Sequence, residues 1–494
     1  MVIDRTDAVM RWFHCSVVLV VMVILAMSPL ERSNRLIAGQ LDPVNSDQSV
    51  LKPAVVHRKP KPLADGAITS DWTNFLGPTH NGVTRESPLL QTFPEEGPDL
   101  VWEMPTGSGY AVPAVYAGRV FYLQRMGNQE VVCALNAVTG KRLWEFGYPT
   151  DYFDNFGYSN GPRCPPVVDP PYLYTYGAQG KLHCLQLETG NQVWSRDLMK
   201  DYRLKQNYFG VGDTPLIDGD KVIVNLGAPQ GPSVLALDKR TGKTIWGSGK
   251  SWSPGYSSPI PALIHGRRRV LVFSGGESAP ADGGLMSIDP ESGVMDFRFP
   301  WRSRSSVSVN AASPVVAGNR IFVSASYRAG GAMLEVKPDF SFELLWKSLE
   351  LGTHWTTAIH KDGYLYGFHG RHEPEATLVC LELETGKVMW REQILLEESV
   401  EIGGSKQDIP FVSGRASLLA VDGNVLCLGE WGHLVWLDLA PGGVQILSRT
   451  WLTKSRYTWG MPVLSQGLLY INQNERSPVT GTEPRLLCYD LRGS

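Results

Sequence analysis

The chain has 494 residues, 43% of them hydrophobic and 19% charged, with a formal net charge of −3. That is the composition of an ordinary soluble protein, and its slightly acidic balance gives no support to nucleic-acid binding. Fifteen Trp and 51 Gly are both high, which suits a fold with many aromatic wedges and many turns.

The N-terminus carries a targeting segment. Arg5 and Arg11 precede an apolar run from Trp12 to Leu30, whose centre, Val17 to Met27, is almost wholly apolar. A secretory core takes about 7–15 residues and a membrane span about 20, and this run lies between them. Ala26-Met27-Ser28 offers small residues for cleavage, but Pro29 follows directly. Residues 1–30 therefore read as a signal peptide or a single-pass anchor, with an uncleaved inner-membrane anchor at 12–30 preferred. On either reading the remainder is exported, to the periplasm or another extracytoplasmic space. Cys15 lies ahead of the run, so a lipoprotein anchor is not indicated. Residues 31–70 interleave Pro43, Pro53, Pro60 and Pro62 with Lys52, Arg58, Lys59 and Lys61 and lack an apolar period. This is the composition of an extended, disordered linker.

From Asp71 the pattern changes. DWTNFLGPTHNGVT (71–84) has no strand period and is studded with turn residues; LVWEMPTG (100–107) then reads as the last strand of a unit whose first three are missing. Beyond it the chain repeats itself. CALNAVTGKRLW (133–144), CLQLETGNQVW (184–194), LALDKRTGKTIW (235–246) and CLELETGKVMW (380–390) share one pattern. Weaker copies are MSIDPESGVMDF (286–297), MLEVKPDFSFELLW (333–346) and WLDLAPGGVQIL (436–447), and an eighth, CYDLRGS, begins at Cys488. Leu-x-Leu alternation marks a strand with period two. Gly140, Gly190, Gly242, Gly293, Gly386 and Gly442 sit where a hairpin needs a positive φ. The closing Trp or Phe is large enough to fill the wedge between neighbouring sheets. A second hairpin precedes each copy, as in VPAVYAGRVFYL (112–123), PLIDGDKVIVNL (215–226) and PVLSQGLLYIN (462–472). Four short strands per unit at this period predict an all-β, eight-bladed β-propeller over 71–494, with four-stranded antiparallel blades. Residues 100–105 are expected to complete the C-terminal blade by pairing with 486–491, which removes two exposed sheet edges.

Cys133, Cys184, Cys380 and Cys488 occupy one repeat position in different blades, too far apart for disulfides, and read as small buried hydrophobes. Cys164 and Cys427 are unassigned, and the odd count of seven leaves at least one thiol free.

These copies resemble the PQQ-like repeat proteins, a propeller superfamily that includes quinoprotein alcohol dehydrogenases and the propeller lipoprotein of the outer-membrane assembly machine. The opening DWTNFLGPTHNGVT is similar to the lead-in of exported bacterial propellers of that kind. The resemblance covers 71–494 and implies the propeller fold with either of two functions. A quinoprotein dehydrogenase holds PQQ with calcium against a tryptophan floor, under a disulfide of adjacent cysteines, with an Asp as base. This chain has no Cys-Cys pair, no Cys-x-x-Cys-His haem motif, and short inter-blade loops. The expected function is thus an exported, non-catalytic scaffold for protein interaction or ligand binding, with no cofactor; a quinone-dependent alcohol or sugar dehydrogenase is the alternative.

Other chemistry is thinner. His369 and His372, with His360, are the metal candidates, but paired histidines on a hairpin loop are more often polar loop residues. Glu397, Glu398 and Glu401 read as a solvated charge run. The more informative segments precede each blade's first, innermost strand and should converge at the mouth of the central channel. Their distinctive side chains are Tyr110, Arg163, Asp213, Tyr256, Asn310, His354, Trp355, Arg415 and Trp459. They either cap the channel or bind a small anionic or sugar-like ligand or a protein there. Arg163 and Arg415 lead, because a guanidinium fork suits a carboxylate or phosphate; Asp213 is placed to pair with one of them instead.

Overall fold

The computed structural model describes residues 51–493 except Glu373 and Pro374. The targeting segment, Cys15 and residues 31–50 of the linker lie outside the described residues. From 99 onward the chain forms eight antiparallel four-stranded blades. Blades 1 to 7 span 114–149, 167–197, 216–248, 260–300, 315–348, 359–392 and 417–451. The eighth is composite: 463–490 supplies three strands, and Asp99–Pro105 supplies the fourth by pairing with Arg485–Asp490, Trp102 opposite Cys488. The ring closes as the two fragmentary repeats required. Among the described residues the one helix is short, Leu198–Asp201.

Alternation works differently from a half-exposed strand, because both faces of a blade are covered. Along Thr377–Glu382, Leu378 and Cys380 point into the core shared with blade 7, while Val379 and Leu381 point into the core shared with blade 5. Period two therefore sorts each strand between two inter-blade cores. The outermost strands lose one neighbour and turn half-polar, as in Thr244–Ser248.

The closing tryptophans lock adjacent blades. Trp102, Trp144, Trp194, Trp246, Trp346 and Trp390 each donate their indole N–H to a carbonyl of the next blade's turn, at 2.8–3.1 Å. The turn glycine then lies flat on the ring. At Gly190 and Gly386 a Cβ would sit 2.5 Å from the preceding blade's indole, and φ is +73° and +68°. Glycine is needed there twice over, for its backbone and for the absence of a side chain. Gly442 does not share this role: it has neither a positive φ nor a neighbour within 4 Å, and the turn bends through Gly443 instead.

Two stretches depart from the sequence expectation. Residues 51–70 are extended but not detached. Val55–Val56 adds a fifth strand outside Trp102 and Glu103, Leu51 is buried, and Lys61 N donates to Asp490 Oδ2. The expected disorder is overridden because the edge of the closing blade still had backbone groups to satisfy. The inter-blade loops are also not uniformly short. Leu395–Ile402 and Ser405–Val412 form a separate hairpin between blades 6 and 7. Within it Glu398 is not merely solvated; it pairs with Arg449 at 2.7 Å and lies 3.5 Å from the buried His433. Glu397 and Glu401 are exposed.

The aperiodic lead-in 71–84 closes one end of the channel. Trp72 is fully buried and exchanges backbone hydrogen bonds with Val115 of blade 1. Thr73 O accepts from Val168 of blade 2, and Gly82 and Thr84 bond Ala420 of blade 7. Asn74 to Leu76 and His80 adjoin Thr214–Pro215 and Ser258–Ile260, ahead of blades 3 and 4. One short segment reaches inner strands on opposite sides of the ring only from its axis.

Candidate functional site

The open mouth is at the other end. Tyr110 and Trp459 approach to 5.1 Å between ring centroids, Trp459 and Trp355 to 4.8 Å, and Trp355 and His354 to 4.7 Å. These come from the segments before blades 1, 8 and 6, so their side chains meet across the mouth and not only between neighbouring blades. Arg415 lays its guanidinium 4.0 Å over Trp355 and 5.6 Å from Trp459.

Arg415 is held from below. Its Nη2 and Nε donate to Glu430 Oε1 at 2.5 and 2.9 Å, and its backbone N donates to Oε2 at 3.1 Å. Trp459 Nε1 donates to the same Oε1 at 2.6 Å. Gly414 permits this: a Cβ there would lie 2.2 Å from Glu430 Oε2. Arg163 is held in the same way by Asp154 at 3.0 Å, whose oxygens also accept from the backbone of Phe156 and Ser159. Its guanidinium faces Tyr110, Tyr152 and Phe209 at 5.5–5.9 Å. Neither arginine pairs with Asp213, and both forks are committed to buried carboxylates.

The loop between blades 1 and 2 arches over this floor. Phe153 and Phe156 are 61% and 50% exposed. Phe156 packs on Tyr208 at 4.8 Å, and Tyr158 on Trp459 at 5.4 Å. Phe209 in turn meets Tyr256, whose hydroxyl donates to Glu277 at 2.7 Å. The mouth thus gathers Tyr110, Arg163, Tyr256, His354, Trp355, Arg415 and Trp459. Asp213 and Asn310 adjoin it but are buried, Asn310 O accepting from Tyr256 N at 2.9 Å. Asn310 is fully buried, donating to the carbonyls of Ser274 and Trp301, a strut between strands. Asp213 is buried beside Asn225, whose backbone N donates to it at 3.3 Å, and burial pushes its carboxyl up to about 8.

Burial takes the His354 imidazole down to about 3, so it is neutral, and its Nδ1 and the Trp355 Nε1 are buried without a partner. His369 Nδ1 accepts from Gly352 N at 3.0 Å and pins a loop. Among the described residues no three His, Cys, Asp or Glu gather as a metal site. The six cysteines in view are buried and unbridged, and burial raises the Cys133 thiol to about 12. Sequence reasoning missed Asp154, Phe156, Tyr158, Phe209 and Glu430. The aromatic density of DYFDNFGY at 151–158, outside any strand period, was the available signal.

A family model described as outer membrane protein assembly factor BamB matches residues 128–392 and 301–494. The quinohemoprotein alcohol dehydrogenase ADH IIB of Pseudomonas putida is 22% identical over 382 residues, 73% of this chain and 51% of that protein. The chain spans about half the length of that curated relative. Among solved structures, BamB from Moraxella catarrhalis aligns with a TM-score of 0.51 at 16% identity, over 80% of this chain and 98% of that one. Quinohemoprotein alcohol dehydrogenase from Comamonas testosteroni aligns at 0.54 and 11% identity, over 86% of this chain and 81% of that one. At such identities the structural likeness speaks to the fold alone.

Proposed function

We propose, from the premise that this chain belongs to the PQQ-like propeller family of the outer membrane protein assembly factor BamB, that it is a non-catalytic scaffold of the cell envelope whose mouth face docks a protein partner. The carrying observation is the exposed aromatic patch of Phe153, Phe156, Tyr158 and Tyr208 above a floor of Trp and Arg. Rigid aromatics and arginines at the centre of a patch are what binding hot spots are made of. The Asp154 and Glu430 ion pairs hold that floor in one geometry before a partner arrives. A small anionic ligand is the weaker variant, since both guanidiniums already have carboxylates.

The mouth does not fit a quinone with calcium. A planar cofactor needs an open slot between flat walls, whereas Tyr110, Tyr158, Trp355 and Trp459 pack against one another. A calcium ion needs several free oxygens, and Asp154 and Glu430 are spent on arginines. The discriminating experiment places a photo-crosslinking residue at 158 and, separately, at 446 on an outer strand, in cell envelopes. The expected result is one discrete protein adduct at 158 only, abolished by Phe156→Glu, with no dye-linked alcohol oxidation after incubation with PQQ and calcium. Oxidation without a site-specific adduct would favour the dehydrogenase reading.

A further inference from the structure

Beside the mouth, between blades 2, 3 and 4, lies a cavity of about 240 Å³. Its walls are apolar and aromatic, with Tyr176, Leu226 and Trp252, and its polar groups include Asp213, Asn225 and Glu277. We propose that this cavity binds a neutral, polyhydroxylated ring of monosaccharide size.

Size comes first. A cavity of about 150 Å³ admits benzene and drug-sized pockets begin at about 300 Å³, so this one holds a single substituted ring. Polarity comes next. Asn225 is 2% exposed, and its carboxamide oxygen accepts from Ser274 Oγ at 2.7 Å. Its Nδ2 is then left buried without a partner. Glu277 Oε1 accepts from Tyr256, while its Oε2 is also buried and unpartnered. Asp213, 2% exposed, is met by backbone N–H groups, its own and that of Asn225, and by no cation among the described contacts. Arg302, the nearest guanidinium to Glu277, is engaged by Ser278 and the Asp282 carbonyl. Buried polar atoms without partners are costly, and a ligand that carries both donors and acceptors relieves them together. Burial is the largest influence on both carboxyls and favours the protonated form, with Arg302 opposing it at Glu277, so the buried wall offers a ligand hydrogen bonds; the one cation of the lining, Lys205, is exposed at its edge. Hydroxyl groups on a ring supply both senses of hydrogen bond, and the ring's C–H face suits the aromatic walls. An apolar ligand would leave Asn225 Nδ2 unsatisfied; a cation would require both carboxyls to ionise.

The test uses the full chain and D-glucose, D-galactose, D-xylose and myo-inositol as probes, with methylammonium chloride and sodium acetate beside them. Saturation-transfer NMR detects contact and calorimetry gives affinity. At least one polyol should bind saturably, weakened tenfold or more by Ala228→Leu, which fills the cavity, and by Asn225→Ala. Pro229 is exposed at the lip, so Pro229→Trp obstructs entry without disturbing the core and decides the matter if a buried variant fails to fold. Failure of all four polyols to bind, tight binding of either ion instead, or unaltered affinity in Pro229→Trp would overturn the assignment.

Discussion

Two glycines of blade 6 separate the two demands that the repeat makes on its turns. Gly363 and Gly386 both have positive φ, +83° and +68°. A Cβ at Gly363 would meet nothing within 4 Å, whereas at Gly386 it would lie 2.5–3.0 Å from three atoms of the Trp346 ring. Gly363→Ala should therefore lose only the left-handed penalty, about 1–2 kcal/mol. Gly386→Ala adds overpacking against an indole that is itself fixed by a 3.0 Å bond to Leu383 O, a further 1–3 kcal/mol or so. The sum is roughly 2–5 kcal/mol. Equilibrium denaturation of both variants, alone and in a Trp346→Ala background, measures the coupling directly. With the indole gone, Gly386→Ala should fall back to about the Gly363→Ala value, a coupling on the order of 1–3 kcal/mol. If the two alanine variants differ by less than about 0.5 kcal/mol, the account of Gly and Trp as one lock is wrong.

The ring closure predicts that deleting 71–105 removes most of the stability, since it strips both the fourth strand of blade 8 and the axial segment; a truncated chain melting with the full-length one would refute it. Arg415→Ala should cost about 3 kcal/mol or more in chemical denaturation, because it leaves Glu430 buried without its cation. Arg415→Lys should recover little of this, having no planar fork to stack on Trp355. Asp213 has a folded pKa near 8 against an ordinary value of 3.8, so the unfolded chain ionises first as pH rises. Its contribution to stability is then lost between about pH 4 and 8, by at most about 1.4 kcal/mol per unit. Asp213→Asn should gain on the wild type across that window in thermal melts, and parallel curves for the two proteins would refute the assignment.

Blade count, strand order and closure were legible because each rests on local chemistry repeated many times: Leu-x-Leu, a turn glycine, a terminal Trp. The lead-in was not, because Trp72, Thr73, Gly82 and Thr84 make their bonds to three different blades and leave no period in the sequence. The 395–412 hairpin was hidden by its charges, although Leu396 and Val400, the buried residues of its first strand, share one face. At the mouth, convergence was legible and ion pairing was not. Glu430 lies 15 residues beyond Arg415, and Asp154 nine before Arg163, spacings set by loops and not by strand geometry. Asn310 has the residue type of a site but ties strands together, and Asp213 faces the cavity between blades 2, 3 and 4 instead of the mouth.

The composite eighth blade also sets a timetable. Asp99–Pro105 and the strand it needs, Arg485–Asp490, are separated by about 380 residues of chain. At about 5–20 residues per second of synthesis, the first waits roughly 20–80 s for the second. Blades 1 to 7 are contiguous in sequence and need no such delay, so they can form as an open arc whose two ends expose the apolar blade faces that blade 8 later covers. During that interval the chain is most exposed to pairing with another copy of itself. Once the latch engages, the order reverses. The segment made first becomes the one that must be released before the ring opens, and unfolding is gated from a single seam.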